Sequence, residues 1–198
     1  MQNLENRLNQ LEDKIKEDSF RKNKGLGNEV GYYVFDYSAE HELQVRNRIS
    51  YLKSKYSQNS ELNIVVYDLY DIIIDILEKE GFLDICMEFE KTKGFTEITK
   101  AVNEMLRMEE DNQSNEIIAH IKNNTKSGSI IFLTGIGKCF PILRSHKILN
   151  NLHQYIDDVP VVLFFPGKYD GQSLMLFDEI KDDNYYRAFK LEIGRAHV

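Results

Sequence analysis

The chain has 198 residues, enough for one domain with a sizeable core, and 42% hydrophobic with 29% charged residues is the composition of a folded protein, not of a disordered one. Its net charge of −7 speaks against unspecific wrapping of nucleic acid, and the two cysteines, Cys86 and Cys139, make no disulfide framework. No run nears the roughly 20 apolar residues of a membrane span and the N-terminus is too polar for a signal peptide, so a cytoplasmic protein with reduced thiols is expected.

Residues 1–19 carry Leu4, Leu8, Leu11 and Ile15 at helical spacing between charged residues. That narrow stripe suits packing on its own domain or, as a near coiled-coil seam, pairing with a partner or a second copy. A turn-rich segment, Gly25-Leu26-Gly27-Asn28-Glu29-Val30-Gly31, precedes the strand signal Tyr32-Tyr33-Val34-Phe35 and Asp36-Tyr37. Glycines before a strand are in the wrong order for a dinucleotide loop, which follows the strand and opens a helix. Ser38 or Asp36 can cap a helix over 39–56 with Leu43, Ile49, Leu52 and Tyr56 inward and Arg46, Arg48, Lys53 and Lys55 outward.

A second strand is expected over 63–67, ending at Asp68, then an apolar helix over 69–80 with Ile72, Ile73, Ile76 and Leu77 inward, stopped by Gly81. Asp68, Asp71 and Asp75 could suggest a metal; without histidine, helix capping and solvation account for them more simply. Residues 82–126 have helical periodicity throughout, with Leu83, Ile85, Met87 and Phe89, then Ile98, Val102, Met105 and Leu106, then Ile117, Ile118 and Ile121 inward. The segment 109–115 is the expected exposed loop. No linker or internal repeat marks a second domain, so 82–126 reads as a helical insertion.

Two apolar runs, Ile130-Ile131-Phe132-Leu133 and Val161-Val162-Leu163-Phe164-Phe165, predict strands over 129–133 and 160–165, buried on both faces as in a parallel sheet. The helical segment 141–156 between them returns the chain for parallel pairing. Each strand breaks into a glycine-containing loop, Thr134-Gly135-Ile136-Gly137-Lys138 and Pro166-Gly167-Lys168-Tyr169-Asp170-Gly171, and the two bends are expected side by side at the carboxyl end of the sheet. The first is no phosphate loop: Phe132 stands where the leading glycine belongs and Cys139 where the hydroxyl should hold magnesium. Cys139 with His146 could be imagined as nucleophile and base, but no third orienting group is evident. Pro166 is expected to end its ladder, 172–180 to form a short helix and 185–191 an edge strand. The last seven residues, Glu192-Ile193-Gly194-Arg195-Ala196-His197-Val198, are what GAG-ATC-GGA-AGA-GCA-CAC-GTC encodes, a string like a common sequencing adapter. They are set aside as not native.

The expected architecture is a single three-layer α/β domain over 1–191, with a mostly parallel sheet of about five strands, helices on both faces and the insertion at about 82–126. Several blocks together are familiar: Gly25-Leu26-Gly27-Asn28-Glu29-Val30 before Phe35-Asp36-Tyr37, Phe132-Leu133-Thr134-Gly135-Ile136-Gly137-Lys138, Leu143-Arg144-Ser145-His146-Lys147-Ile148-Leu149-Asn150-Asn151-Leu152, Phe165-Pro166-Gly167-Lys168-Tyr169-Asp170-Gly171-Gln172-Ser173-Leu174 and Asp182-Asp183-Asn184-Tyr185-Tyr186-Arg187-Ala188-Phe189. In this order they resemble the BrxB family, the small component of bacterial BREX phage-defence systems. Gly31 stands where the family often has proline. The resemblance implies a subunit working beside a methyltransferase, an alkaline-phosphatase-like PglZ protein and a large ATPase, with no catalytic activity and no catalytic residues to carry over. It implies an adaptor whose favoured partner is the PglZ-type protein.

The residues fit that expectation through a rim of strand-end groups, Asp36, Tyr37, Asp68, Lys138, Arg144, Lys168, Tyr169 and Asp170, because aromatics with arginine suit an interface. A homodimer is compatible with the N-terminal stripe; no cofactor and no metal is expected. Two other readings stay open: a degenerate nucleotide- or phosphate-binding switch using residues 135–138, and direct DNA contact through Lys138, Arg144, Lys147 and Lys168. The acidic total and the lack of a reading helix weigh against the second.

Overall fold

The structure, a computed structural model, describes residues 3–22, 31–57, 62–108, 115–182 and 188–191. The glycine-rich approach at 25–30, most of the expected loop at 109–115, the start of the last strand and the final seven residues lie outside these. No helix among the described residues is long and apolar enough to cross a membrane.

In chain order the elements are α1 (Leu4–Lys16), α2 (Asp18–Arg21), β1 (Tyr32–Tyr37), a 3-10 turn (Ala39–His41), α3 (Glu42–Ser57), β2 (Asn63–Asp68), α4 (Leu69–Lys79), α5 (Leu83–Lys93), α6 (Phe95–Met105) and α7 (Glu116–Asn124). Then follow β3 (Ser129–Thr134), α8 (Ile136–Cys139), α9 (Ser145–Tyr155), β4 (Val161–Tyr169), β5 (Leu174–Leu176), β6 (Ile180–Asp182) and β7 (Phe189–Lys190). The sheet runs β2-β3-β4-β1-β7 with every pair parallel, and β5 and β6 extend it antiparallel from β4. The α/β class and the largely parallel sheet are as expected.

Alternation along each strand feeds two cores. Phe35, Ile64, Phe132 and Phe164 face one layer with α1 and α3; Val34, Tyr67, Leu133 and Leu163 face the other with α4 to α9. The stripe Leu4, Leu8, Leu11 and Ile15 is buried in the first of these, so α1 packs on its own domain. Glu12 lies beside that stripe, almost buried, and accepts from Arg48 (2.8 Å), Lys55 (2.6 Å) and the Tyr56 hydroxyl (2.8 Å). Burial opposes its ionisation, but the bonds from Lys55 and Tyr56 and the charges of Lys55 and Lys16 outweigh it and hold its pKa below the usual value.

Several local expectations are corrected. Residues 39–41 make a 3-10 turn with no side-chain cap from Ser38, and the helix proper starts at Glu42. Within this helix Leu43 lies opposite Leu52 and is 72% exposed, while Val45, in phase with Ile49, Leu52 and Tyr56, is inside. Ile85 and Met87 are exposed, and Cys86 is the residue of α5 that is buried. The helix expected from 141 begins at Ser145.

The largest correction lies after residue 165. Pro166 does not end β4, which runs to Tyr169, and 172–180 forms a β-hairpin instead of a helix. Strand β3 pairs with β4 only at 161–163, and β5 takes the flank that β3 vacates, pairing with 167–169. The Val161 amide bonds to Gly31, so odd residues of β4 face β1 and the peptide group of Pro166 faces the gap between β3 and β5. A missing donor costs nothing there, while the Pro166 carbonyl accepts from the Phe177 amide at 2.8 Å. Asp170 closes the turn by accepting from the amides of Gln172 (2.8 Å) and Ser173 (2.7 Å). Leu174 and Leu176 alternate into the core, and Phe177 and Asp178 take positive φ (55° and 61°) to reverse the chain.

Candidate functional site

The chain leaves β1 through α3 on one face of the sheet, whereas β2 and β3 lead to helices on the other. Where connections diverge in this way, a crevice opens at the carboxyl ends of the strands. Here it is a pocket of about 190 Å³ lined by Tyr37, Glu42, Arg46, Gly135, Lys138 and Phe177, among others. The two glycine-containing bends do meet at it: a Cβ on Gly137 would lie 3.0 Å from the ring of Pro166 and 2.9 Å from that of Phe177.

Each polar group of the crevice is matched by a neighbour. Asp68 is the N-cap of α4, accepting from the amides of Tyr70 (3.1 Å) and Asp71 (3.3 Å), and binds the Lys138 ammonium at 2.7 Å. Asp71 stands 3.6 Å from the same ammonium, which lies 5.2 Å over the Tyr70 ring. Glu42 bridges the Tyr37 hydroxyl (2.5 Å) and Arg46 Nε (2.7 Å). Burial and this glutamate raise the Tyr37 pKa, so the phenol stays protonated.

The glycines also have internal reasons. Gly135 holds φ 79°, and a Cβ there would lie 2.3 Å from Asp68 Oδ1, so glycine lets the carboxylate close on the turn. Gly137 makes room for Phe177. Helix α8 has four residues, and its lysine is engaged by two carboxylates. This is not the open amide cradle that a phosphate chain needs. The Cys139 thiol is 1% exposed, and burial, with Asp68 nearby, pushes its pKa up to about 12, which leaves it no nucleophile. No group of three or more metal-ligating side chains occurs among the described residues.

The eight rim candidates divide. Tyr37, Asp68 and Lys138 gather at the crevice. Asp36 and Tyr169 are inside: Asp36 accepts from Arg7 (2.7 Å), Lys190 (2.9 Å) and the Tyr169 amide (3.1 Å), and the Tyr169 hydroxyl donates to the Ala188 carbonyl at 2.6 Å. These two staple the first helix and the last strand to the sheet, and their side chains do not face solvent. Lys168 and Asp170 are exposed on the hairpin, Lys168 3.5 Å from Asp178. Arg144 edges a separate apolar pocket of about 110 Å³ lined by Phe140, Leu143, Leu176 and Ile180. Sequence reasoning missed Glu42, Tyr70 and Phe177 as lining or flanking residues; the Glu42–Arg46 pair, at four-residue spacing, was the one available signal.

Fold and crevice together define a small doubly wound α/β protein whose strand-end cleft is lined by its own ion pairs and rings. The chain matches the family described as "BREX protein BrxB" over residues 65–191. It is 47% identical over 191 residues to a BREX protein BrxB of Bacillus cereus (strain H3081.97), covering 96% of this chain and 98% of that one. To a BREX protein BrxB of Escherichia coli O9:H4 (strain HS) it is 33% identical over 188 residues, covering 95% and 91%. The chain belongs to the BrxB family. No solved structure matches it.

Proposed function

We propose that this protein is a non-catalytic assembly subunit of a BREX-type phage-defence system, and that its strand-end rim docks the PglZ-type partner. Membership of the family supports the setting. The observation that carries the docking reading is a pair of rings, Tyr70 (39% exposed) and Phe177 (40% exposed), on either side of the 135–138 turn. Arg46, which lines the same pocket as Phe177, and Lys168, beside Asp178, are exposed next to the second ring. Half-exposed aromatics, one at a helix start and one at a hairpin turn, with charged neighbours are the usual composition of an interface centre. On this reading residues 1–191 act as one domain, with 82–126 as its helical insertion and 192–198 foreign to it.

The test is co-purification from cells carrying the complete gene cluster. Tyr70→Ser with Phe177→Asn removes both rings, and asparagine suits the positive φ at 177. Loss of the PglZ-type partner by about tenfold or more, with the melting temperature within about 2 °C of the parent, is expected. Retention of the partner at parental levels would eliminate the rim. The nucleotide-switch reading has less support, because Lys138 and the two glycines are engaged internally. Calorimetry with ATP and GTP should therefore register no heat.

A further inference from the structure

Among the described residues the sheet has one long free edge. Strand β2 is terminal and, among the described residues, pairs only with β3, in unbroken register from Asn63–Ser129 to Asp68–Thr134. The Ile131 amide donates to Pro160 at 2.9 Å, which turns Ile131 toward β4 and leaves Ile130 and Phe132 to bond β2. In a parallel ladder those residues bond the neighbours of their partners, namely Asn63, Val65 and Tyr67. The peptide groups of Ile64 and Val66 therefore point outward.

Soluble proteins guard such an edge with lysine, proline, a bulge or a cover. Asn63-Ile64-Val65-Val66-Tyr67-Asp68 contains no lysine and no proline, and its register holds no bulge. The edge forms the floor of an open groove of about 480 Å³ between α3 on one side and α4 with α7 on the other. Its lips differ in chemistry. Ile49 and Lys53 line the α3 side, and Asp71 and Asp75 the α4 side. His120 is beside them, but burial, helped by Lys79, lowers its pKa, so it adds no charge at neutral pH.

We propose that the free edge of β2 is a strand-addition site for an extended segment of a partner protein, basic on alternate side chains. Unpaired peptide groups in a groove of this shape call for an extended chain, whose side chains alternate between the two lips. Those directed at α4 meet Asp71 and Asp75 and are lysine or arginine; those directed at α3 meet Ile49 and are apolar. This surface lies on the sheet edge and does not depend on the reading of the strand-end rim.

The probe is a peptide alternating lysine and valine, as long as β2, compared with one of equal length and charge in which a central valine is replaced by proline. Amide exchange on the full chain reads the outcome at Ile64 and Val66. The alternating peptide slows both amides, whereas the proline-containing peptide leaves them unchanged. Asp71→Lys with Asp75→Lys weakens the alternating peptide about tenfold at low salt without altering the fold. Equal binding of the two peptides with no protection at Ile64 and Val66 would mean unspecific attraction to an acidic protein and overturn the proposal. So would protection of both amides in the chain alone, whether a second copy or another segment of the chain covers the edge.

Discussion

Asp36 and Asp68 occupy nearly the same station, the penultimate residue of β1 and the last of β2, and the fold gives them different environments. Asp36 lies between β4 and β7, is 6% exposed, and gathers Arg7, Lys190 and the Tyr169 amide. Asp68 ends the outermost strand, remains partly open to solvent, caps α4 and holds Lys138. The difference lies in what crosses each strand end. The segments bearing Arg7 and Lys190 close over β1 and turn a carboxylate into a staple; only a helix start follows β2, and its carboxylate stays at the surface. Position in the sheet, not residue type, decides which strand-end groups can meet a partner.

The comparison can be broken most directly by neutralising each acid. Asp36→Asn should cost roughly 3 kcal/mol, because two cations lose their buried partner, and lower the melting temperature by about 6–12 °C. Asp68→Asn should cost about 1 kcal/mol, since its lysine remains partly solvated and asparagine still caps a helix. Equal losses in thermal unfolding would refute the distinction.

Gly135→Ala comes next, at about 2 kcal/mol, combining the left-handed backbone with the close approach of Asp68 Oδ1. In an Asp68→Ala background the steric part disappears and about 1 kcal/mol remains. An unchanged cost in that background would mean that the carboxylate does not set the turn.

Smaller effects sharpen the contrast with the hairpin. The amides of Ser173 and Gln172 and the Ser173 hydroxyl hold the Asp170 pKa at about 2. A depressed carboxylate stabilises the fold fully above its unfolded value of about 4, and that contribution is lost as pH falls from about 4 through 2. Parent and Asp170→Asn should therefore differ in stability at pH 6 and converge near pH 2; a constant difference would contradict the capped turn. The smallest signal is chemical: with its pKa raised to about 12, Cys139 should resist alkylation at pH 8 until the chain unfolds, as read by mass measurement.

Much of the fold was legible because long runs carry their period. The β-branched and aromatic strands at 63–68, 129–134 and 161–165 each offered one economical burial, whereas the α1 stripe left its own domain and a partner both open until the structure buried it in the first core. The hairpin at 174–182 was not legible. Three residues of alternation, Leu174-Met175-Leu176, fit a helix turn as well as a strand, and only the flank of β4 left open by β3 selects the strand. Leu43 was misplaced for a different reason: within α3 it stands half a turn out of phase with Leu52, whereas Val45 has the helical spacing that matches Ile49, Leu52 and Tyr56. At the site, the meeting of the two bends followed from parallel pairing. The burial of Asp36 and Tyr169 depended on residues more than a hundred positions apart in the chain.

The sequence by itself determined the class of fold, the family and the strand ends where polar and glycine residues collect, because periodicity and local backbone chemistry act within a few residues of one another. Only the tertiary structure decided which strand became the free edge, which acids became staples and what lined the crevice. Those outcomes depend on pairing and ion contacts between distant segments, whose partners a linear pattern does not name.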